Sequence, residues 1–552
     1  MLHVFSHFTL VPLSKRASFR AHPFPLLRPH SQVHSSGNFK TNRWRWALDH
    51  LISSVSRLLE QEKSDEAVKL FKERVSKIPF KDRTSRSSAY ERGITAFLNH
   101  KLFKNAVELE QQMLAEGMDS PIGLRARTLV CSHIVTAPHE QREKLESLYE
   151  KLSLVLSLPF YSERNLRELL DVMRYHPLID LQFVRKLVDV FVKSRGPQYD
   201  LASSTINKLI VFYTHTGSMD AAESLVLSQP RHSNAGPYTT LISELAKKDA
   251  MSPERLGILL DRMKLSDTPV NLAFMNALVQ SAVRRGNLPQ AFSLYETILK
   301  DPHMIPDSFT FGSLFNALQR LWASRSRKLY QKPPNAPVPR RLFRQMLECH
   351  VLADQVAEDS GTRAPTVVRV STLNVALRLF MLLMDYSGAF VALQTFRALD
   401  LRPDARTYRF VLTTLLAHVR AHLQPGQSHP RHVRWAVKFL SGGEERAGVK
   451  PEDIRPEIAY ALLEFARNSG DVKFSAPSLA VVLGDEKEPE NAQWDIEPLE
   501  RLVVRAIMAS MALKGVSGGQ AERALREKLM PYFYGMVPER LWKGRRLRRA
   551  AY

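Results

Sequence analysis

One pattern of residues occurs twice in this chain with the same internal spacing, in the segments 272–307 and 370–404. In each copy an Asn is the fifth residue, an Ala follows fifteen residues after that Asn, and a Pro-Asp pair ends the segment. The residues concerned are Asn276 and Asn374, Ala291 and Ala389, Pro306-Asp307 and Pro403-Asp404. Self-similarity at a period of about 35 residues is typical of a helical solenoid, in which each unit buries its apolar face only by stacking on its neighbours.

The first copy has the pattern of two helices joined by a tight turn. Apolar residues recur at helical spacing on both sides of Gly286. A glycine there suits the left-handed conformation that ends a helix, and Pro289 suits the first turn of the next helix. Pro306 stops the second helix, and Asp307 offers a carboxylate that can cap the helix after it. The sequence therefore predicts an all-α fold of stacked helix-turn-helix hairpins.

This arrangement resembles the pentatricopeptide repeat (PPR) family of organellar RNA-binding proteins. Members of that family carry a Gly at the inner turn, an Ala early in the second helix and a terminal Pro-Asp. The resemblance implies a right-handed superhelical solenoid. It extends over residues 48–453 and is best in the units 203–234, 235–271, 272–307 and 370–404.

The rest of the chain is expected to follow a less regular plan. We predict a disordered organellar transit peptide at 1–47, degenerate helical repeats at 48–202, PPR-like repeats at 203–453 with insertions near 323–340 and 421–431, C-terminal helical pairs at 454–538 and a basic tail at 539–552. A solenoid grows without one central core, so a chain of this length does not require several globular domains.

The first 47 residues differ in composition from the rest. They contain seven Lys or Arg residues, and no acidic residue precedes Asp49. Enrichment in Arg and Ser with depletion of acid is typical of an organellar transit peptide. A basic segment that stays in the mature protein is the alternative. The composition favours the mitochondrial matrix, with the plastid as the second choice.

The overall charge predicts a polyanionic partner. Lys and Arg number 78 against 56 Asp and Glu, which gives a formal net charge of +22. An excess of this size favours nucleic acid. The tail adds Arg545, Arg546, Arg548 and Arg549 beside Trp542, which suits phosphate contacts with base stacking or, equally, a solvated tail without a specific ligand.

Specific recognition would come from the repeats. In the family that this chain resembles, the fifth and last residues of each unit contact one RNA base. The resemblance implies that bases are read by Asn207 with Asn234, Thr239 with Asn271, Asn276 with Asp307, and Asn374 with Asp404. Amide, hydroxyl and carboxylate groups can all bond to base edges. The alternative for each residue is a helix cap or a solvated position.

The family's pairing preferences give these units an order of bases. They imply a pyrimidine, then adenine, then uracil for the three contiguous units, and uracil for the unit 370–404. The unit that begins at Ser308 offers Gly312 at the fifth position and breaks the run.

The sequence gives no support for catalysis. A zinc deaminase needs an H-x-E motif followed by P-C-x-x-C, and a phosphate-binding loop needs G-x-x-x-x-G-K; the chain has neither. Its two cysteines, Cys131 and Cys349, exclude a disulfide framework and suit a packing role. We therefore predict no enzyme activity, no cofactor, no metal and no membrane span.

These observations predict a monomeric protein that binds single-stranded organellar RNA. Its effect would be on transcript stability, processing or translation. The alternative is a protein-binding scaffold of the tetratricopeptide type, whose units of 34 residues also stack helical pairs. Such a scaffold would associate with the mitochondrial ribosome or with RNA-processing proteins.

Overall fold

The structure is all-α. The computed structural model describes residues 38–79, 82–136, 141–228, 235–325, 333–360, 366–423, 430–441, 494–512 and 535–538. Within these ranges the chain forms twenty-one α-helices and no strand. They are α1 (Asn38–Glu60), α2 (Ser64–Ser76), α3 (Arg83–Asn99), α4 (Phe103–Ala115), α5 (Ile122–Val135), α6 (Gln141–Leu156), α7 (Glu163–Met173), α8 (Leu181–Lys193), α9 (Ser203–His215), α10 (Met219–Ser228), α11 (Gly236–Lys247), α12 (Pro253–Leu265), α13 (Leu272–Arg284), α14 (Leu288–Lys300), α15 (Ser308–Arg325), α16 (Pro339–Ser360), α17 (Val370–Leu382), α18 (Tyr386–Ala398), α19 (Ala405–Leu423), α20 (Pro430–Ser441) and α21 (Glu497–Ala512).

The chain divides into two compact units, one up to Leu124 and one from Arg125 onwards. In the first unit α1 packs on α2 and α3, and α3 packs on α4. Its core contains Phe71, which meets the rings of Tyr90 and Phe97 edge-on, with centroids 6.0 and 6.2 Å away. The first unit is thus a pair of helical hairpins around an aromatic cluster.

The second unit contains a continuous row of helices. Each of α7, α9, α11, α13, α15 and α17 packs on the next odd-numbered helix, up to α19. Within this row α9, α13, α15, α17 and α19 each also pack on the helix that follows them in the chain. The predicted stack of helical hairpins is therefore confirmed; the superhelical hand stays a prediction.

The local sequence explains how each hairpin is formed. The side chain of Asn271 accepts the N–H of Phe274 at 2.9 Å, which fixes the start of α13. Gly286 has a φ of 73° and so ends α13, as predicted. Ala291 is fully buried where α14 crosses α13, and Ala389 is fully buried in the second copy. The predicted roles of the turn glycine and the small residue are confirmed.

The helix α21 enters the stack from a distant part of the sequence. It packs on both α18 and α20. The side chain of Gln394 donates to Glu500 at 2.8 Å, and Arg397 forms an ion pair with Glu500 at 2.7 Å. Burial raises the pKa of Glu500 to about 7. Because Glu500 of α21 is paired with Gln394 and Arg397 of α18, α21 is an integral part of the second unit.

Some predicted segments lie outside the described residues. These are residues 1–37 of the leader, 326–332 and 424–429 of the predicted insertions, 442–493, 513–534 and the tail 539–552. The first helix begins at Asn38, inside the predicted leader. In the part of the chain that the structure describes, no helix has the length and apolarity needed to cross a membrane.

Candidate nucleic-acid interface

Asn276 and Asp307, predicted to act as a pair, are in direct contact. The amide nitrogen of Asn276 donates to Asp307 Oδ1 at 3.0 Å. Thr310 completes the group, because its hydroxyl donates to Asn276 Oδ1 at 2.6 Å. We call these three residues the first Asn-Asp-Thr cluster. It joins α13 to the start of α15 and therefore couples one unit to the next.

Asp307 also begins the helix α15. Its Oδ1 accepts the backbone N–H groups of Phe309 and Thr310, both at 3.0 Å. In return, the backbone N–H of Asp307 donates to the Thr310 hydroxyl at 3.2 Å. Reciprocal bonds of this kind satisfy backbone groups that a helix start leaves unpaired. The last residue of the unit is thus a helix cap as well as a partner of Asn276.

The second copy repeats this geometry. Asn374 donates to Asp404 Oδ1 at 3.0 Å, and the Thr407 hydroxyl donates to Asn374 Oδ1 at 2.7 Å. The backbone N–H of Asp404 donates to Thr407 at 3.1 Å, and Asp404 Oδ1 accepts the N–H of Thr407 at 2.8 Å. These residues form the second Asn-Asp-Thr cluster. The two copies therefore share their hydrogen bonds as well as their sequence pattern.

Each cluster has bonding capacity beyond these contacts. The amide of Asn276 carries a second N–H, and the carboxylate of Asp307 has a second oxygen. Among the described residues neither this second N–H nor this second oxygen has a hydrogen-bond partner, and both side chains are partly exposed. Asn374 differs because it is only 3% exposed. The first cluster therefore offers a donor and an acceptor to a ligand, whereas the second offers chiefly the carboxylate of Asp404.

The other two predicted pairs are arranged differently. The Thr239 hydroxyl donates to the carbonyl of Ala235 at 2.8 Å, and Asn271 caps α13 from an exposed position. No hydrogen bond joins Thr239 to Asn271 within the described ranges. The amide oxygen of Asn207 is buried and has no hydrogen-bond partner there, and its predicted companion Asn234 lies outside the described residues. The structure thus joins two of the four pairs.

The threonine of each cluster was not among the predicted residues. Thr310 and Thr407 are both fully buried. Each stands three residues after the terminal Asp, in the segments PDSFT and PDART. An S/T or D followed at this distance by a side chain that bonds back is a known signal of a helix start. Comparison of the two segments would have found both threonines.

The helix α15 lies between the helices that carry Asn276 and Asn374. It packs on α13 and on α17, and Gln319 fixes the second contact by donating to the carbonyl of Val375 at 2.8 Å. Between α13 and α15 lies a cleft of about 360 Å³. It is lined by Gln280, Val283, Arg284, Ser313, Asn316, Gln319 and Arg320. Two arginines and no acidic residue line the cleft, so it suits an anion.

The described residues give no support for a reactive Cys349 or for a metal site. Burial raises the pKa of the Cys349 thiol to about 11, so this cysteine is not an activated nucleophile. The described residues contain no group of three His, Cys, Asp or Glu side chains that could hold a metal ion. The predicted tail residues Arg545, Arg546, Arg548 and Arg549 lie outside the described ranges.

Comparison with known proteins adds little to this geometry. Neither a protein-family model nor a curated protein matches the chain. Among solved structures, it is similar to the pentatricopeptide repeat protein PPR10 in complex with an 18-nt psaJ RNA element, with 13% identity, 90% of this chain and 84% of that chain covered, and a TM-score of 0.30. The structure of PPR10 from maize gives 16% identity, coverage of 90% and 83%, and a TM-score of 0.20. At these TM-scores the likeness carries no argument, and the fold is assigned from the helices of this chain.

Proposed function

We propose that this protein binds single-stranded RNA along the row of odd-numbered helices α7 to α19 and discriminates bases with its Asn-Asp-Thr clusters. The observation that carries the proposal is the recurrence of one polar cluster at equivalent places in two units. In each, an amide and a carboxylate are held in fixed relative positions by a buried threonine.

The chemistry of the first cluster suits an unstacked base. A base edge carries neighbouring donors and acceptors, and the cluster offers an amide N–H beside a carboxylate oxygen. Because Thr310 and the backbone already fix both side chains, little rotamer freedom is lost when a ligand binds. We propose that Asn276 with Asp307 recognises uracil, and that Thr239 with Asn271 recognises adenine.

The cellular part of the proposal rests on composition. The acid-free, Arg- and Ser-rich leader supports import into mitochondria, and the net charge of +22 supports a polyanionic partner. In this setting the protein would occupy an organellar transcript and affect its stability, processing or translation. No step of this function requires a catalytic group.

Exchange of one pair for another within this chain tests the proposal. The double variant Asn276→Thr with Asp307→Asn reproduces the Thr239–Asn271 combination in the next unit. Purified full-length protein would be used to select ligands from a pool of single-stranded RNA of random sequence. We expect one nucleotide of the selected motif to change from uracil to adenine, with discrimination of about tenfold or more, since a good pair of base contacts contributes 1–3 kcal/mol.

The matched control is Thr297→Asn, a polar exchange on the exposed surface of α14. It should leave the selected motif unchanged. Selection of the same motif by the double variant and the original protein would sink the base-reading role of the cluster. Failure to select any RNA would remove the RNA-binding function itself.

A protein-binding scaffold is the second candidate. The observation that favours it is apolar exposure on α12, where Ile258 is 50% and Leu265 80% exposed. Residues seven apart lie on one face of a helix, so these two side chains form part of one surface. In mitochondrial extract, association with protein partners that survives nuclease treatment would support the scaffold. Nuclease-sensitive sedimentation with large complexes would support the RNA-binding protein.

A further inference from the structure

The unit 308–369 contributes Thr310 to the first Asn-Asp-Thr cluster and precedes the unit of the second, but it has no Asn or Asp of its own at the equivalent positions. Its fifth residue is Gly312 where the neighbouring units have Asn, and its last residue is Arg369 where they have Asp. Arg369 is exposed and makes no side-chain cap to α17. This unit therefore contains neither the Asn nor the Asp that both neighbouring units have at these positions.

Packing does not require the glycine. A Cβ atom added at Gly312 would meet no heavy atom within 4 Å. The residue lies inside α15 and has no left-handed backbone, so a glycine there costs about 0.5–1 kcal/mol relative to alanine. Close packing therefore does not require glycine at position 312, and its effect is to leave this position of α15 without a side chain.

Positive charge takes the place of the missing polar pair. Arg369 is the last residue of this unit and directly precedes α17, while Arg284 and Arg320 line the cleft between α13 and α15. Arg320 is held in position by the carbonyl of Val283, 2.6 Å from its guanidinium. Within the described ranges Arg284 has no ion pair, and it is exposed. Guanidinium groups bind phosphate strongly and without regard to base sequence.

An exposed aromatic ring accompanies this charge. Phe309 is 62% exposed, and the guanidinium carbon of Arg369 lies 5.8 Å from the centre of its ring. A ring next to a cation offers a stacking platform to any base, since every base has a π-face. Such stacking is tolerant of sequence.

We propose that unit 308–369 is a base-blind spacer, which holds the phosphate backbone and stacks on the nucleotide between two base-reading units. The proposal rests on the proposed function, because it needs RNA on the row of odd-numbered helices α7 to α19. As α15 packs on both α13 and α17, the spacer corresponds to one nucleotide position between those read by the two clusters.

Two measurements on the selected RNA test the spacer. At the nucleotide assigned to unit 308–369, all four bases should bind within about twofold of one another. A neutral methylphosphonate linkage at this nucleotide should lower the affinity about tenfold, the effect of one lost charge-assisted contact. Arg369→Gln should weaken every RNA equally and reduce the slope of log affinity against log salt by about 0.7, as expected for one phosphate contact on a single strand.

A gain of recognition is the sharper experiment. The double variant Gly312→Asn with Arg369→Asp builds the missing pair into α15, where the open space around Gly312 accepts the new side chain. We expect the selected motif to acquire a uracil preference at the formerly blind position, while flanking preferences stay the same. Arg369→Gln alone serves as the control and should create no preference.

The outcomes separate the two proposals. If RNA is selected but the position assigned to unit 308–369 already discriminates bases as strongly as its neighbours, the spacer is wrong and RNA binding stands. If the double variant folds, as judged by its thermal melt, and gains no preference, the spacer is wrong as well. If no RNA is selected by any form of the protein, both proposals fall.

Discussion

The two Asn-Asp-Thr clusters share their hydrogen bonds and differ in their exposure. The Asn-to-Asp distance is 3.0 Å in both, and the Thr-to-Asn distances are 2.6 and 2.7 Å. Asn276 is partly exposed, whereas Asn374 is 3% exposed. The same contacts therefore join consecutive units in both places, but only the first cluster leaves its amide within reach of a ligand.

The difference in exposure gives the asparagines of the two clusters different roles, one in stability and one in ligand binding. A buried amide must be bonded within the protein, since an unpaired polar group costs about 1–3 kcal/mol. In the second cluster Asn374 therefore serves stability before recognition. In the first cluster water can reach Asn276 and replace a lost partner, so its contribution to stability is smaller.

Removal of the aspartate should have the largest effect and should differ between the copies. Asp404→Ala removes a helix cap and strands the buried amide of Asn374, so we expect a loss of about 3 kcal/mol in local opening free energy. Asp307→Ala removes a similar cap beside the more exposed Asn276, and the loss should be about 2 kcal/mol. Native-state hydrogen exchange of α15 and α19 measures both values, without assuming that a stack of repeats unfolds in one step.

Asp307→Asn and Asp404→Asn are the matched controls. Asparagine keeps an oxygen that can accept the same backbone N–H groups, and it caps helices about as well as aspartate. Each control should therefore lose less than half as much as the alanine variant. Equal losses for Asp307→Ala and Asp404→Ala would mean that the burial of Asn374 has no energetic consequence.

Much of the fold followed from the sequence because its signals are local. Gly286, Ala291 and the Pro-Asp ends each act within one hairpin, and periodicity shows which helix face is apolar. The resemblance paired Asn276 with Asp307 as readers of one base, but their direct hydrogen bond was not predicted. Residues far apart in sequence carry no such signal: α21 packs against α18 and α20 across the intervening segment 442–493, and its place could not be predicted.

The limits of the site prediction have a different cause. Sequence spacing places Asn276 and Asn374 at equivalent positions, but exposure depends on the neighbouring helices, which the spacing does not describe. The part played by Thr310 and Thr407 was missed because the prediction considered only the fifth and last residues of each unit, and each threonine belongs to the following unit. The charged cleft between α13 and α15 requires residues from two helices to be brought together, and no single motif contains it.

Replacement of the cluster threonines should have an intermediate effect. Valine has nearly the shape of threonine, so Thr407→Val removes little besides the hydroxyl that bonds to Asn374 and to the backbone of Asp404. We expect a loss of about 2 kcal/mol for Thr407→Val and about 1 kcal/mol for Thr310→Val, whose partner is more accessible to water. Hydrogen exchange of the helices that start at these residues gives the two values.

Thr205 in α9 provides the control for the threonine variants. It is fully buried like the other two, but its hydroxyl has no hydrogen-bond partner among the described residues. Thr205→Val should therefore be neutral or stabilising, because it removes an unpaired polar group. A loss at Thr205 as large as that at Thr407 would show that volume and packing, and not the hydrogen bonds of the cluster, determine the effect.

The smallest expected effect concerns the inner turns of the same two units. Gly286 has a φ of 73° and Met384, at the equivalent place, a φ of 53°, so a methionine adopts the left-handed conformation that glycine adopts at lower cost. A Cβ at Gly286 would meet no atom within 4 Å, and Met384 is 46% exposed, so exchange of the two residues changes backbone strain more than packing.

Met384→Gly should stabilise α17 and α18 by about 1 kcal/mol, and Gly286→Met should destabilise α13 and α14 by a similar amount. Because the two turns lie in different units, each hairpin of the double variant should show the same change in hydrogen-exchange opening free energy as in its single variant. If Met384→Gly instead destabilises its hairpin, the methionine side chain contributes packing that outweighs its strain, and the two units differ in their turns as well as in their clusters.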